Sequence, residues 1–106
     1  MTIAIPLWIT HPACTRHEMG PGHPESIARL HAIHDRMNAS GLLPMFRQAI
    51  APLAPRAALE RVHEPKLVDS LLAAKPNAGS YLRIDADTAL NDRSIEAAQA
   101  AAGAVM

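Results

Sequence analysis

Seven consecutive residues near the N-terminus, Ile3-Ala4-Ile5-Pro6-Leu7-Trp8-Ile9, are apolar, and no later stretch of the 106 residues reads so clearly as a strand. A partly β-branched run without polar alternation fits a strand covered on both faces, as parallel sheets produce, better than a half-exposed one. Pro6 is the flaw in it, because proline removes a ladder donor. A lone strand cannot satisfy its own backbone groups. Two weaker extended segments, residues 46–50 and 81–84, are the available neighbours, and helical patterns separate them. Strands alternating with helices imply an α/β architecture with a mainly parallel sheet, of which this chain carries an opening part.

The helical patterns are readable from periodicity and end signals. Pro24 suits a first helical position and Glu25 the positive end of the dipole. Ile27, Leu30, Ile33, His34 and Met37 then recur at steps of three and four, predicting a helix over residues 24–39 that stops before Gly41. Shorter helices are expected over 56–62 and 64–74. Asn91 or Asp92 can cap a last helix over 93–106, with Ile95, Ala98, Ala102 and Val105 on one face. The remainder reads as a strand over 3–9, a His-, Pro- and Gly-rich loop over 10–23, and a second, polar loop over 85–92. The last helix ends on an apolar stretch with no polar tail, so the expectation is the N-terminal segment of one domain that needs its C-terminal remainder for packing.

Composition limits the partners. Hydrophobic residues make up 49% of the chain, but 21 of them are Ala, and Trp, Tyr and Phe occur once each. Little large apolar surface is left for a self-sufficient core. Ten Lys and Arg balance ten Asp and Glu, and no basic stripe with interleaved aromatics appears, which argues against nucleic acid. The run 3–9 is too short to span a membrane and lacks the flanks of a secretory signal. A single cysteine, Cys14, leaves no internal disulfide and fits a reducing, cytoplasmic setting.

Chemistry-bearing residues concentrate in the two loops. His11, Cys14, His17 and His23 could hold a metal, but zinc needs three or four ligands converging on one point, and their loose spacing suits turns and hydrogen bonds better. Cys14 beside a histidine could be an activated thiolate, although such pairs usually meet in space rather than along the chain. His31 and His34 are neighbours on a helix without a third ligand, and His63 sits at a helix boundary. Asp85 and Asp87 could bind a cation, accept substrate N–H groups, or simply turn the chain. Gly20-Pro21-Gly22-His23-Pro24 is not a phosphate loop, since it lacks the GK[ST] ending.

The runs Thr10-His11-Pro12-Ala13-Cys14, then His17-Glu18-Met19-Gly20-Pro21-Gly22-His23-Pro24-Glu25-Ser26, then Arg29-Leu30, resemble the N-terminus of the zinc-dependent histone deacetylase family. They are most similar to its bacterial deacetylase-like amidohydrolases, which include acetylpolyamine amidohydrolases and acetoin-utilisation proteins. Val62-His63-Glu64-Pro65 with Leu67-Val68-Asp69, Asp85-Ala86-Asp87-Thr88 with Ser94 and Ala97-Ala98, and Ala101-Ala102-Gly103 extend the resemblance along nearly the whole chain. One departure is Ile27, where the family usually has proline.

The resemblance implies an arginase/deacetylase-like three-layer α/β/α fold. It assigns His23 and Pro24 to the wall of the acyl-lysine channel, and Arg29 to the pocket floor beside the cavity by which acetate leaves. Asp87 becomes the carboxylate that grips substrate backbone N–H groups, with Asp85 as the alternative register. A carboxylate is an acceptor-only group and arginine suits a carboxylate product. The family's zinc, held by two Asp and one His, its proton-handling His pair and its oxyanion Tyr all correspond to positions after residue 106, and Tyr81 does not match that Tyr. The expectation is thus a part of a zinc-dependent deacetylase for acetyl-lysine or an acetylated small molecule such as an acetylpolyamine, with no zinc bound and no activity in this chain alone. The alternative is a small His-rich metal-binding or interaction module.

Overall fold

The first strand begins only at Leu7 because of Pro6. In the computed structural model, which describes residues 4–106, strand β1 is Leu7–Thr10. Ile3 lies outside the described residues. Pro6 cannot donate to a neighbour, but its carbonyl still accepts the Arg47 N–H at 3.0 Å, so pairing survives just ahead of the strand. The partner is β2, Arg47–Ile50, parallel to β1 with Leu7 opposite Arg47 and Thr10 opposite Ile50. Between them runs α1, Ile27–Ala39. This β-α-β crossover is the unit by which parallel strands are joined.

Helix α1 starts three residues later than Pro24 suggested. The Glu25 N–H is taken by the His23 ring at 3.0 Å, which bends residues 23–25 into a turn, and Ser26 stands extended at φ −132° as the cap. The expected apolar stripe forms, but only Ile27 and Met37 are half-buried while Leu30 and Ile33 stay exposed. Trp8 of β1 meets His34 of α1 edge-on at 6.4 Å and Phe46 at 5.7 Å. The chain's single Trp and single Phe thereby join helix to sheet.

The segment expected as helix over 56–62 is one turn, α2, Arg56–Leu59. Pro65 holds Glu64 extended and opens α3, Pro65–Ala73, so the two helices cannot merge. The second loop needs a larger correction. Residues 85–92 are not irregular throughout: β3, Leu82–Asp85, pairs antiparallel with β4, Thr88–Leu90, through a turn at Ala86 and Asp87. The turn lacks the Asn-Gly or Asp-Gly pair that announces a tight hairpin, which is why the polar stretch concealed a strand.

The last helix, α4, Ser94–Ala104, buries a different face from the one its Ile and Val marked. Ser94, Ala97, Ala100 and Gly103 are buried, whereas Val105 is 87% exposed. Small side chains fit here because α4 lies directly on the backbone of residues 51–54: the Ala54 N–H donates to the Gln99 carbonyl at 3.0 Å. A β-carbon on Gly103 would overlap the Pro52 carbonyl oxygen and sit 2.7 Å from its carbon. The Ile95, Ala98 and Ala102 side instead faces α3 across a gap of about 170 Å³.

The core that results is made of small residues. Ala13, Leu43, Ala51, Ala54, Val68, Ala89, Leu90, Ala97 and Ala100 are buried, and among the described residues no large side chain is fully buried. The chain exposes 7545 Å², where a compact monomer of this mass would expose about 5,800 Å². Its radius of gyration is 15.9 Å, against roughly 13 Å for a compact chain of this length. Much of the excess is apolar. Leu7, Ile9, Leu30, Ile33 and Ala104 line an open groove of about 560 Å³ between β1, α1 and α4.

Candidate functional site

The two loops singled out in the sequence come together in space. Loop 10–23 leaves β1 through a 3-10 turn at Pro12–Thr15 and reverses at Gly20 and Gly22, whose φ values of +108° and +77° few other residues adopt. His23 follows. Its Nδ1 accepts the Glu25 N–H, so in the neutral ring the proton belongs on Nε2. Nε2 lies 2.9 Å from the Asp87 carbonyl oxygen, a hydrogen bond between residues 64 apart. The hairpin turn of β3 and β4 is therefore tied to the residue just ahead of α1.

The Asp85 and Asp87 carboxylates have different surroundings. The Asp87 N–H donates to Asp85 Oδ1 at 2.8 Å, and this bond, with the Thr88 hydroxyl, holds the Asp85 carboxyl below its ordinary value. Asp85 is occupied in shaping the turn. The Asp87 carboxylate is 95% exposed, with Oδ1 3.8 Å from His23 Nε2, and its lone pairs face solvent. Arg29, in the first turn of α1, pairs with Glu25 at 2.6 Å and is half-exposed. Pro24 is exposed between His23 and Glu25. A depression of about 220 Å³ opens here, lined by Glu18, Gly20, Gly22, His23 and Glu25.

Four further ties hold the loops in register, none of them visible in the sequence as a site. The Asn91 side-chain amide donates to the Arg16 carbonyl at 2.8 Å, and His17 Nδ1 meets Ser94 Oγ at 2.6 Å. The Ala89 N–H points at Met19 Sδ at 3.3 Å. The Tyr81 hydroxyl bonds the Glu18 carboxylate, which pushes the phenol's pKa up. Asn91 carried a helix-start signal, but partners 63 to 77 residues away leave no mark in a local pattern.

The donor set does not fit a zinc ion. Among the described residues no three His, Cys, Asp or Glu side chains converge. His11 Nδ1 accepts the Ala13 N–H at 3.0 Å, capping the 3-10 turn, and His17 is committed to Ser94. Burial raises the Cys14 thiol's pKa, the opposite of what an activated thiolate requires. His34 packs against Trp8 rather than pairing with His31.

Beyond this geometry, a family model described as the histone deacetylase domain matches residues 23–106. The chain belongs to the histone deacetylase family. The match opens on His23 and takes in Arg29, Asp87 and the whole of α4. Among solved structures, the chain is similar to the one titled "Crystal Structure of HDA15 HD domain", with a TM-score of 0.75 and 24% identity over 95% of this chain. That likeness shows the arginase/deacetylase fold, and the chain spans 30% of that structure's length. No curated protein matches. For a histone deacetylase family chain, β1-α1-β2 is thus a strand-helix-strand piece of that α/β fold.

Proposed function

We propose that this chain forms one wall of the substrate site of a zinc-dependent deacetylase that hydrolyses acetyl-amide bonds, of acetyl-lysine or of an acetylated polyamine. The observation that carries this reading is the His23–Asp87 hydrogen bond, which joins the two loops and leaves the Asp87 carboxylate free. A carboxylate presents only acceptors, so Asp87 would grip substrate N–H groups while the His23 ring and Pro24 line the approach. Arg29, already paired with a carboxylate, would meet a carboxylate product by exchange of partners. Family membership supports the zinc, which supplies an activated water in metal-assisted hydrolysis. No residue described in this chain is fit to hold it, so its ligands would come from elsewhere in an assembled domain. The lone Cys14 favours a reducing, cytoplasmic setting.

The test uses purified residues 1–106, alone and joined to the remainder of a family domain. Metal content and acetate release from an acetyl-lysine peptide and an acetylated polyamine are measured for each. The expected result is neither stoichiometric zinc nor acetate from the chain alone, and zinc-dependent release from the joined protein that falls in Asp87→Ala with zinc content unchanged. Turnover by the chain alone, or joined turnover indifferent to Asp87, overturns the reading.

A further inference from the structure

Asn91 and Ser94 form a buried polar group beneath the two loops. Asn91 and Ser94 are 8% and 4% exposed. A serine hydroxyl has one hydrogen to give and two lone pairs. The Asn91 N–H occupies one lone pair of Ser94 Oγ at 2.8 Å, and the Ser94 hydroxyl lies 3.0 Å from Asn91 Oδ1, an oxygen that can only accept. With the hydroxyl's single hydrogen directed to Asn91 Oδ1, the remaining partner, His17 Nδ1 at 2.6 Å, is the donor. Asn91 Oδ1 also receives the Arg93 N–H at 3.0 Å, and Asn91 Nδ2 donates to the Arg16 carbonyl.

Adjacent residues 16 and 17 are thus clamped to the start of α4 by two bonds with fixed donors. The loop histidines differ in consequence: His11 and His23 each accept a backbone N–H at Nδ1, while His17 gives a proton from that same atom. Burial raises the stakes, because a missing partner leaves a desolvated polar atom unpaired.

We infer that His17 is a positioning residue: its Nδ1–H, seated on Ser94, sets the loop over 17–23 so that His23 reaches Asp87. The residues between the clamp and His23 turn through Gly20 and Gly22, which supply no packing of their own. Glu18 and Met19 carry their own ties to Tyr81 and Ala89, so the clamp at 16–17 is one of the holds on the segment that leads into the glycine bend. The functional meaning of this latch rests on the substrate-wall reading above, but its existence does not.

The test is nitrogen-15 NMR on the 106-residue chain, so it stands apart from any acetate assay. Long-range ring correlations should show His17 with its proton on Nδ1, and His11 and His23 with theirs on Nε2. In His17→Ala the His23 Nε2 signal should shift as its bond to the Asp87 carbonyl is lost, while the Glu25 N–H keeps the proton on Nε2, and exchange of the Asn91 amide hydrogen should speed up about tenfold, as loss of one hydrogen bond implies. Asparagine places an N–H near the position of histidine Nδ1, so His17→Asn should restore both signals. His17→Gln, whose amide reaches too far, should not. A wild-type His17 protonated only on Nε2 overturns the inference without any variant. So does an unchanged His23 in a folded His17→Ala. Failure of the deacetylase assay with this NMR pattern intact would refute the substrate reading alone.

Discussion

Replacing Gly103 by alanine sets two physical effects against each other with opposite signs. Gly103 lies within α4, where alanine is favoured over glycine by about 1 kcal/mol in helix propensity. Propensity alone predicts a stabilised protein. The structure predicts the reverse, because the added carbon would overlap the Pro52 carbonyl oxygen and lie 3.2 Å from the Ala54 nitrogen. Those atoms are backbone and cannot rotate away, and the Ala54–Gln99 hydrogen bond pins the same segment to α4. Overpacking costs about 1–3 kcal/mol, and a clash with backbone belongs at the upper end. The net effect is a loss of about 2 kcal/mol, or roughly 10 °C in a thermal melt of a domain this size. Circular dichroism melts of wild type, Gly103→Ala and Ala101→Gly decide it. Ala101 is exposed on the same helix, so its glycine variant reports propensity without the contact. A Gly103→Ala melt at or above the wild-type temperature would refute the close packing of α4 on residues 51–54.

Cys14 should react with a disulfide reagent near pH 8 more slowly than a free thiol, because burial raises its pKa; thiolate-like rates at neutral pH would contradict that environment. The Asp85 carboxyl is held below its usual 3.8 by the Asp87 N–H first and the Thr88 hydroxyl second. A depressed folded value means its contribution to the turn is complete above the unfolded pKa and lost as pH falls through the folded one. The Asp87 amide signal, followed by NMR from pH 5 to 2, should therefore move with a midpoint below 3.8, and Asp85→Asn should abolish that step.

The strand-helix-strand opening was legible because it rests on local composition: a continuous apolar run, a strict helical period and proline punctuation. The hairpin was not, since Ala86-Asp87 carries no turn signature and Thr88-Ala89-Leu90 is too short to show alternation. The buried face of α4 is hidden in the sequence for another reason. Hydrophobicity ranks Ile95 and Val105 above Ala97 and Gly103, whereas close approach to a backbone selects for smallness. His23, Pro24, Arg29 and Asp87 came from resemblance, and the structure brings His23 and Asp87 into direct contact. His17, Asn91 and Ser94 belong to a network whose long-range bonds span 75 and 77 residues, and no windowed pattern can register it.

The two edges of the candidate site differ in how they can accept change of length. The hairpin turn at Ala86 and Asp87 joins paired strands, so one inserted residue would slip the register and turn Thr88 and Ala89 each to the other face of the hairpin. The bend at Gly20 and Gly22 has open space around both glycines, and lengthening a flexible surface loop costs only about 0.6 kcal/mol per doubling. Insertions that refit the site to a bulkier or longer ligand can accumulate at the glycine bend, while the Asp87 side stays constant as the gauge against which they are measured.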